Sequence, residues 1–97
     1  MGMYNPPHPG EFIREVYVEP FHLSARQIAA KLKVSPSTFN RLLNGVSSVT
    51  PEMALRLSKT LGRSPESWLV LQHNYDLWQA RRHIDLAAVE KLHLSAA

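Results

Sequence analysis

The chain has 97 residues, 44% of them hydrophobic, with two Trp and no Cys, which suits one small core and excludes disulfides and thiol chemistry. Lys and Arg outnumber Asp and Glu by eleven to eight, a formal net charge of +3. No apolar run approaches the roughly 20 residues of a membrane span, and the opening MGMYNPPHPG lacks the apolar stretch of a secretory signal, so the expectation is a cytoplasmic protein with no membrane contact, folded as a single domain over residues 1–97.

The first element expected is a helix from Pro9 to about Val18. It pairs Phe12 with Val16 and Ile13 with Tyr17 at helical spacing, carries Glu11 in its positive first turn and is stopped by Pro20. Next, Ser24 and Gln27 have the spacing of a capping box, and Leu23 and Ile28 that of a hydrophobic staple. The helix they open gathers Ala25, Ile28, Ala29 and Leu32 on one face and Arg26, Gln27, Ala30 and Lys31 on the other. Small Ala29 and Ala30 permit close approach of the following helix, and Val34 packs beneath the turn between them.

Ser35–Pro36, Thr50–Pro51 and Ser64–Pro65 repeat one device, a hydroxyl cap followed by proline at the first helical position, where its missing N–H costs nothing. Gly45 and Gly62 stand where helix ends require positive φ. The helix from Pro36 to Asn44 turns Ser37, Asn40, Arg41 and Asn44 to one edge, within an arc of about 100° at roughly 100° per residue, and Phe39, Leu42 and Leu43 to the other. It is roughly 14 Å long against a DNA major groove roughly 12 Å wide. Residues 24–45 therefore read as a helix-turn-helix. Arg matches the acceptor edge of guanine, Asn the N6/N7 edge of adenine, and Ser or Thr either. Base contacts are expected from Ser37, Thr38, Asn40, Arg41 and Asn44, and phosphate contacts from Arg26, Gln27, Lys33, Ser35, Ser47, Ser48 and Thr50.

A helix over Pro51–Leu61 follows, with Ala54, Leu57 and Leu61 on one stripe and Met53 and Leu55 beside it, while Arg56, Lys59 and Arg63 are polar. The longest helix spans Pro65 to about Arg81 and shows two apolar stripes: Trp68, Leu71, Tyr75 and Trp78, then Val70, His73 and Leu77. That is more than one core needs, so Leu69, Val70, His73, Leu77 and Trp78 are the expected contact of a homodimer, with the tail beside them. The tail, 83–97, is expected as a short helix with frayed ends. The fold class expected is all-α: a compact five-helix domain with a short C-terminal extension.

Charge is unevenly placed. Residues 24–63 hold seven Lys/Arg against Glu52, net +6; residues 1–23 hold Arg14 against Glu11, Glu15 and Glu19, net −2; residues 64–97 hold three basic and four acidic side chains, net −1. The positive segment coincides with the motif and its following helix, the footprint of a nucleic-acid binder. Catalysis finds no support. The four glycines form neither a phosphate loop nor a dinucleotide fingerprint, there is no GxSxG elbow, and the five histidines lack zinc-ligand spacing. No metal or cofactor is expected. Asp76, near Arg81 and Arg82, reads as a structural or interfacial ion-pair partner.

The HPGE of His8–Glu11 and the string TPEMALRLSKTLGRSPESWLVLQHNYDLW from Thr50 are similar to the HigA antitoxins, a branch of the phage-repressor-like helix-turn-helix proteins. The similarity rests on Pro9, Gly10 and Glu11; on Thr50, Glu52, Met53, Ala54, Arg56 and Leu57; and on Trp68, Leu71, Gln72, Tyr75, Asp76, Leu77 and Trp78. It implies a repressor-like fold and an antitoxin that binds a HigB-type toxin, a ribosome-dependent mRNA-cleaving enzyme of the RelE kind, and represses its own operon as a dimer on a palindromic operator. Glu11, Glu15 and Glu19 offer an acidic docking face for a basic toxin. One departure stands out: where such proteins often carry Lys or Arg after the recognition helix, this chain has Val46, Ser47, Ser48 and Val49. The alternative function is a stand-alone transcriptional repressor, which needs the same motif. An RNA adaptor fits less well, since A-form RNA closes the groove that such a helix enters.

Overall fold

The computed structural model describes residues 5–95. Five helices and no strand are present among them. Helix α1 covers Pro9–Ile13 and runs on as a π-helical turn over Arg14–Val18; α2 is Ala25–Leu32, α3 Pro36–Leu43, α4 Pro51–Leu61 and α5 Pro65–His83. Helices α1 to α4 enclose a core of Ile13, Ile28, Leu32, Phe39, Leu42, Ala54 and Leu57, and Trp68 of α5 closes it from below.

The helix starts follow from capping. Ser35 Oγ accepts from the Thr38 N–H at 3.1 Å, Thr50 Oγ1 from Met53 at 3.2 Å, and Ser64 Oγ from Ser67 at 3.1 Å. Both halves of the Ser24–Gln27 box are made, at 2.8 and 3.1 Å. Helix α1 starts at Pro9 as expected, and its cap is a histidine: His8 Nδ1 accepts from the Gly10 N–H at 2.9 Å, again with proline at the first helical position. Gly45 and Gly62 take φ of 75° and 100°, as helix ends with positive φ require. Helix α2 instead ends on Lys33 at φ 62°. Its last carbonyls are held from α4, where Arg56 Nη1 donates to Leu32 O at 2.7 Å and Arg56 Nε contacts Glu52 Oε2 at 3.3 Å.

Three expectations are corrected. In α1 the π turn places residues five apart on one face, so Phe12 stacks edge-on with Tyr17 at 6.2 Å and Val16 is turned out to solvent. Residues 84–95 form no helix; among the described residues beyond His83 there is a turn at Ala87–Ala88. Its apolar side chains recur without a helical stripe, and the Asp85 Oδ1 that accepts from the Ala87 N–H at 2.9 Å opens a single turn. Asp76 does not pair with Arg81 or Arg82. It accepts from Gln72 Nε2 at 3.0 Å, while Gln72 Oε1 accepts from the Val49 N–H at 2.8 Å. Gln72 is thus a buried polar tie between α5 and the loop before α4.

Helix α1 approaches the end of α3 backbone to backbone. A Cβ on Gly10 would overlap the carbonyl oxygen of Leu42 and stand 2.7 Å from that of Leu43, so only glycine fits. Above it, the buried His8 ring meets Tyr75 of α5 edge-on, with centroids 5.0 Å apart. Burial lowers the His8 pKa, against the opposing pull of the Ser47 backbone carbonyl, Asp76 and Glu11. Its Nδ1 is moreover committed as an acceptor.

Two outcomes follow for stability. Gly10→Ala should destabilise the fold by about 3 kcal/mol, the upper range for forcing one methyl into a packed site, read as a fall in denaturation midpoint. Because the folded His8 resists protonation, the unfolded chain binds the extra proton, so stability should fall as pH drops below about 6.5. In His8→Asn, which keeps a capping oxygen, that component of the pH dependence should disappear from urea titrations across the range.

Candidate nucleic-acid interface

Helix α3 is two-sided by construction. Phe39, Leu42 and Leu43 are buried, whereas Ser37, Thr38, Asn40, Arg41 and Asn44 are exposed. The inner face fixes the helix against α1 and α2, so the outer side chains project from a rigid support.

These outer groups differ in how free they are. Arg41 and Asn40 have no side-chain partner among the described residues and present their full complement of donors and acceptors. Thr38 Oγ1 accepts from Ser35 Oγ at 2.8 Å, and Ser37 Oγ lies 3.3 Å from the same hydroxyl. This small network orients the first turn of α3. Ser35 is occupied by it, since its oxygen also caps the helix. Asn44 Oδ1 accepts from Arg14 Nη2 at 3.1 Å. Arg14 was not anticipated as part of this surface; the one available signal was a lone base on an acidic helix.

The expected phosphate contacts lie around the same edge with unequal freedom. Arg26 is exposed in the first turn of α2, and Lys33 is exposed at its end. Gln27 gives its oxygen to the capping box, which leaves the NH2 group available. Ser48 and Thr50 are exposed, with Thr50 Oγ1 accepting from Met53; Ser47 is half-buried, its carbonyl toward His8. Two of the seven bases in the positive segment serve the fold instead. Arg56 holds the end of α2, and the Arg63 guanidinium lies 5.0 Å from the Phe12 ring centroid and 5.6 Å from that of Trp68.

Elsewhere, α5 leaves Val70 at 53% and Leu77 at 51% exposure, with exposed His73 on the same stripe. Leu69 and Trp78 stand apart from that stripe. Leu69 packs partly against the core, and Trp78 is half-buried under the Arg82 guanidinium at 4.5 Å. Ile84, Leu86, Val89, Leu92 and Leu94 of the tail are exposed. Glu11, Glu15 and Glu19 are exposed on α1 and the turn after it. A polar cavity of about 480 Å³ opens beside the α1–α5 contact, lined by His8, Glu11, Asn44, Tyr75 and Arg82. No group of three or more metal-ligating side chains converges among the described residues. No helix of those residues is long and apolar enough to cross a membrane.

This geometry has close relatives. A family model described as helix-turn-helix matches residues 13–68. The uncharacterised HTH-type transcriptional regulator YddM of Escherichia coli K12 is 40% identical over 92 residues, 95% of this chain and 97% of that protein. Antitoxin HigA-1 of Vibrio cholerae is 35% identical over 72 residues, 74% of this chain and 68% of that protein. Among solved structures, the Pseudomonas aeruginosa antitoxin HigA with the higBA promoter superposes with a TM-score of 0.75 at 34% identity, covering 79% of this chain and 84% of that one. A helix-turn-helix whose recognition helix is backed by the His8–Gly10 clamp, with identity of this extent, places the chain in the HigA-type antitoxin branch of the helix-turn-helix family.

Proposed function

We propose that this chain is the antitoxin of a type II toxin–antitoxin pair, which neutralises a HigB/RelE-like mRNA-cleaving toxin by direct binding and represses its own operon as a DNA-bound homodimer. The observation that carries the DNA half is the unpaired Arg41–Asn40 edge on a helix whose opposite face is wholly buried. Relatives solved with operator or promoter DNA support it. Arg41 suits the O6/N7 edge of guanine and Asn40 the edge of adenine, while Arg26, Lys33, Ser48 and the Gln27 amide suit phosphates. The protein acts by binding, in the cytoplasm, without catalysis or cofactor.

A two-fold dimer would place two recognition helices about 34 Å, or some 10 base pairs, apart on a pseudo-palindrome. The exposed stripe Val70, His73 and Leu77, continued by the tail, is the surface proposed for that contact, with Leu69 and Trp78 at its margins. The toxin surface proposed is the acidic face of Glu11, Glu15 and Glu19, whose charge would steer a basic partner.

Arg41→Ala should weaken binding to the selected operator by about 1 to 3 kcal/mol and leave binding to random DNA almost unchanged. Equal losses on both DNAs would reassign Arg41 to phosphate positioning. Co-expression with the product of the adjacent open reading frame should yield a stable complex and rescue growth, and Leu77→Asp should convert the sedimenting species from dimer to monomer. DNA binding without any toxin complex would leave a stand-alone repressor, the reading that the name of the E. coli relative suggests.

A further inference from the structure

Arg14 and Asn44 come from different elements and meet at the far end of the recognition helix, with Arg14 Nη2 3.1 Å from Asn44 Oδ1. We propose that Arg14 is a positioning residue for DNA binding: it turns the Asn44 amide so that the NH2 group faces outward as a phosphate donor, and so withdraws Asn44 from base discrimination. The proposal rests on the DNA-binding reading and sharpens it.

The chemistry allows one orientation. A guanidinium has donors only, so the amide atom facing it must be the oxygen. An asparagine that reads adenine needs its oxygen to accept from N6–H while its nitrogen donates to N7. With Oδ1 held toward Arg14, the amide cannot present its oxygen and nitrogen together to the N6/N7 edge of adenine, and its outward side offers N–H donors. Phosphate oxygens accept only and suit that face. Position agrees, because recognition helices meet base edges chiefly through their N-terminal residues, and Asn44 caps the C-terminus of α3.

The Arg14–Asn44 pair is also held in place. Arg14 lies one turn beyond Gly10, whose backbone rests against the Leu42 and Leu43 carbonyls, so the clamp fixes the distance between α1 and the end of α3. Arg14 is the lone base among Glu11, Glu15 and Glu19, and it opens the π turn. Its cation polarises the Asn44 amide and adds positive potential beside the phosphate, as charge-assisted bonds do. On this proposal Asn44 meets a phosphate, while Ser37, Thr38, Asn40 and Arg41 face the bases.

The test begins with a DNA sequence selected from a random library by the unaltered protein, followed by phosphate-ethylation interference. Arg14→Met, which has no donor, and Asn44→Ala should each lose interference at the same phosphate in each half-site and weaken binding about five- to tenfold. The double variant should be no weaker than either single one. The base preferences should be unchanged, and Arg14→Lys, which keeps a donor, should restore most of the affinity. Both sites are on the surface, so melting temperatures should hold. Relaxed preference at one base position in Asn44→Ala, or different phosphates lost with additive effects, would overturn the proposal. If no sequence is selected, the DNA-binding reading falls and the proposal with it. The Asn44 side-chain NH2 resonances in DNA-free protein, expected to shift in Arg14→Met, distinguish that failure from absence of the Arg14 bond itself.

Discussion

The contact on which this molecule depends is the approach of the first turn of α1 to the last carbonyls of α3. Gly10 has no side chain because the Leu42 and Leu43 carbonyl oxygens occupy the space a Cβ would need. Backbone then lies on backbone, and the neighbouring residues inherit their positions from it. His8 is drawn in to cap α1 and meet Tyr75, Ile13 enters the core, and Arg14 arrives beside Asn44. The recognition helix is thereby braced from behind at its C-terminal end, while Ser35 and Thr38 organise its N-terminal end. A reading helix needs such bracing, since side chains that meet base edges must keep their geometry through binding.

Charge is divided between the fold and the surface. Arg56 closes the end of α2, where a non-glycine residue in left-handed backbone stops the helix. Arg63 lies on the aromatic group of Phe12 and Trp68. What remains available on the reading side is small: Arg26, Lys33 and Arg41, with Arg14 behind Asn44. The loop after α3 supplies the hydroxyls of Ser47 and Ser48 and no base. DNA binding by this chain therefore draws on fewer released counterions and should depend less steeply on salt than that of a more basic relative.

Most of the fold was legible because it is written in local chemistry. Hydroxyl-proline pairs and positive-φ glycines mark starts and stops within a few residues, and the periodicity of Phe39, Leu42 and Leu43 identifies the buried face of α3. What was not legible depends on partners distant in sequence. The burial of His8, the tie made by Gln72 and the placement of Arg14 leave no mark in the residues around them. Each is defined by a neighbour from another element: Tyr75, Val49 and Asn44 respectively. The π turn also escaped reading, since a single extra residue per turn leaves no periodic trace over five residues. Of the candidate site, the exposed edge of α3 was read from its own sequence, while the hydrogen bonds that limit Ser35 and Asn44 were not.

The central claim is that α1 and α3 form one cooperative unit through the Gly10 contact, so that the reading surface cannot loosen without α1 leaving. Native-state amide hydrogen exchange of the unaltered protein measures this directly. The account predicts that the amides of Phe12 and Ile13 in α1 and of Leu42 and Leu43 in α3 exchange with one common free energy, close to that of global unfolding, and respond together to low denaturant. Exchange of α1 through a separate, lower-energy opening while α3 stays protected would contradict it.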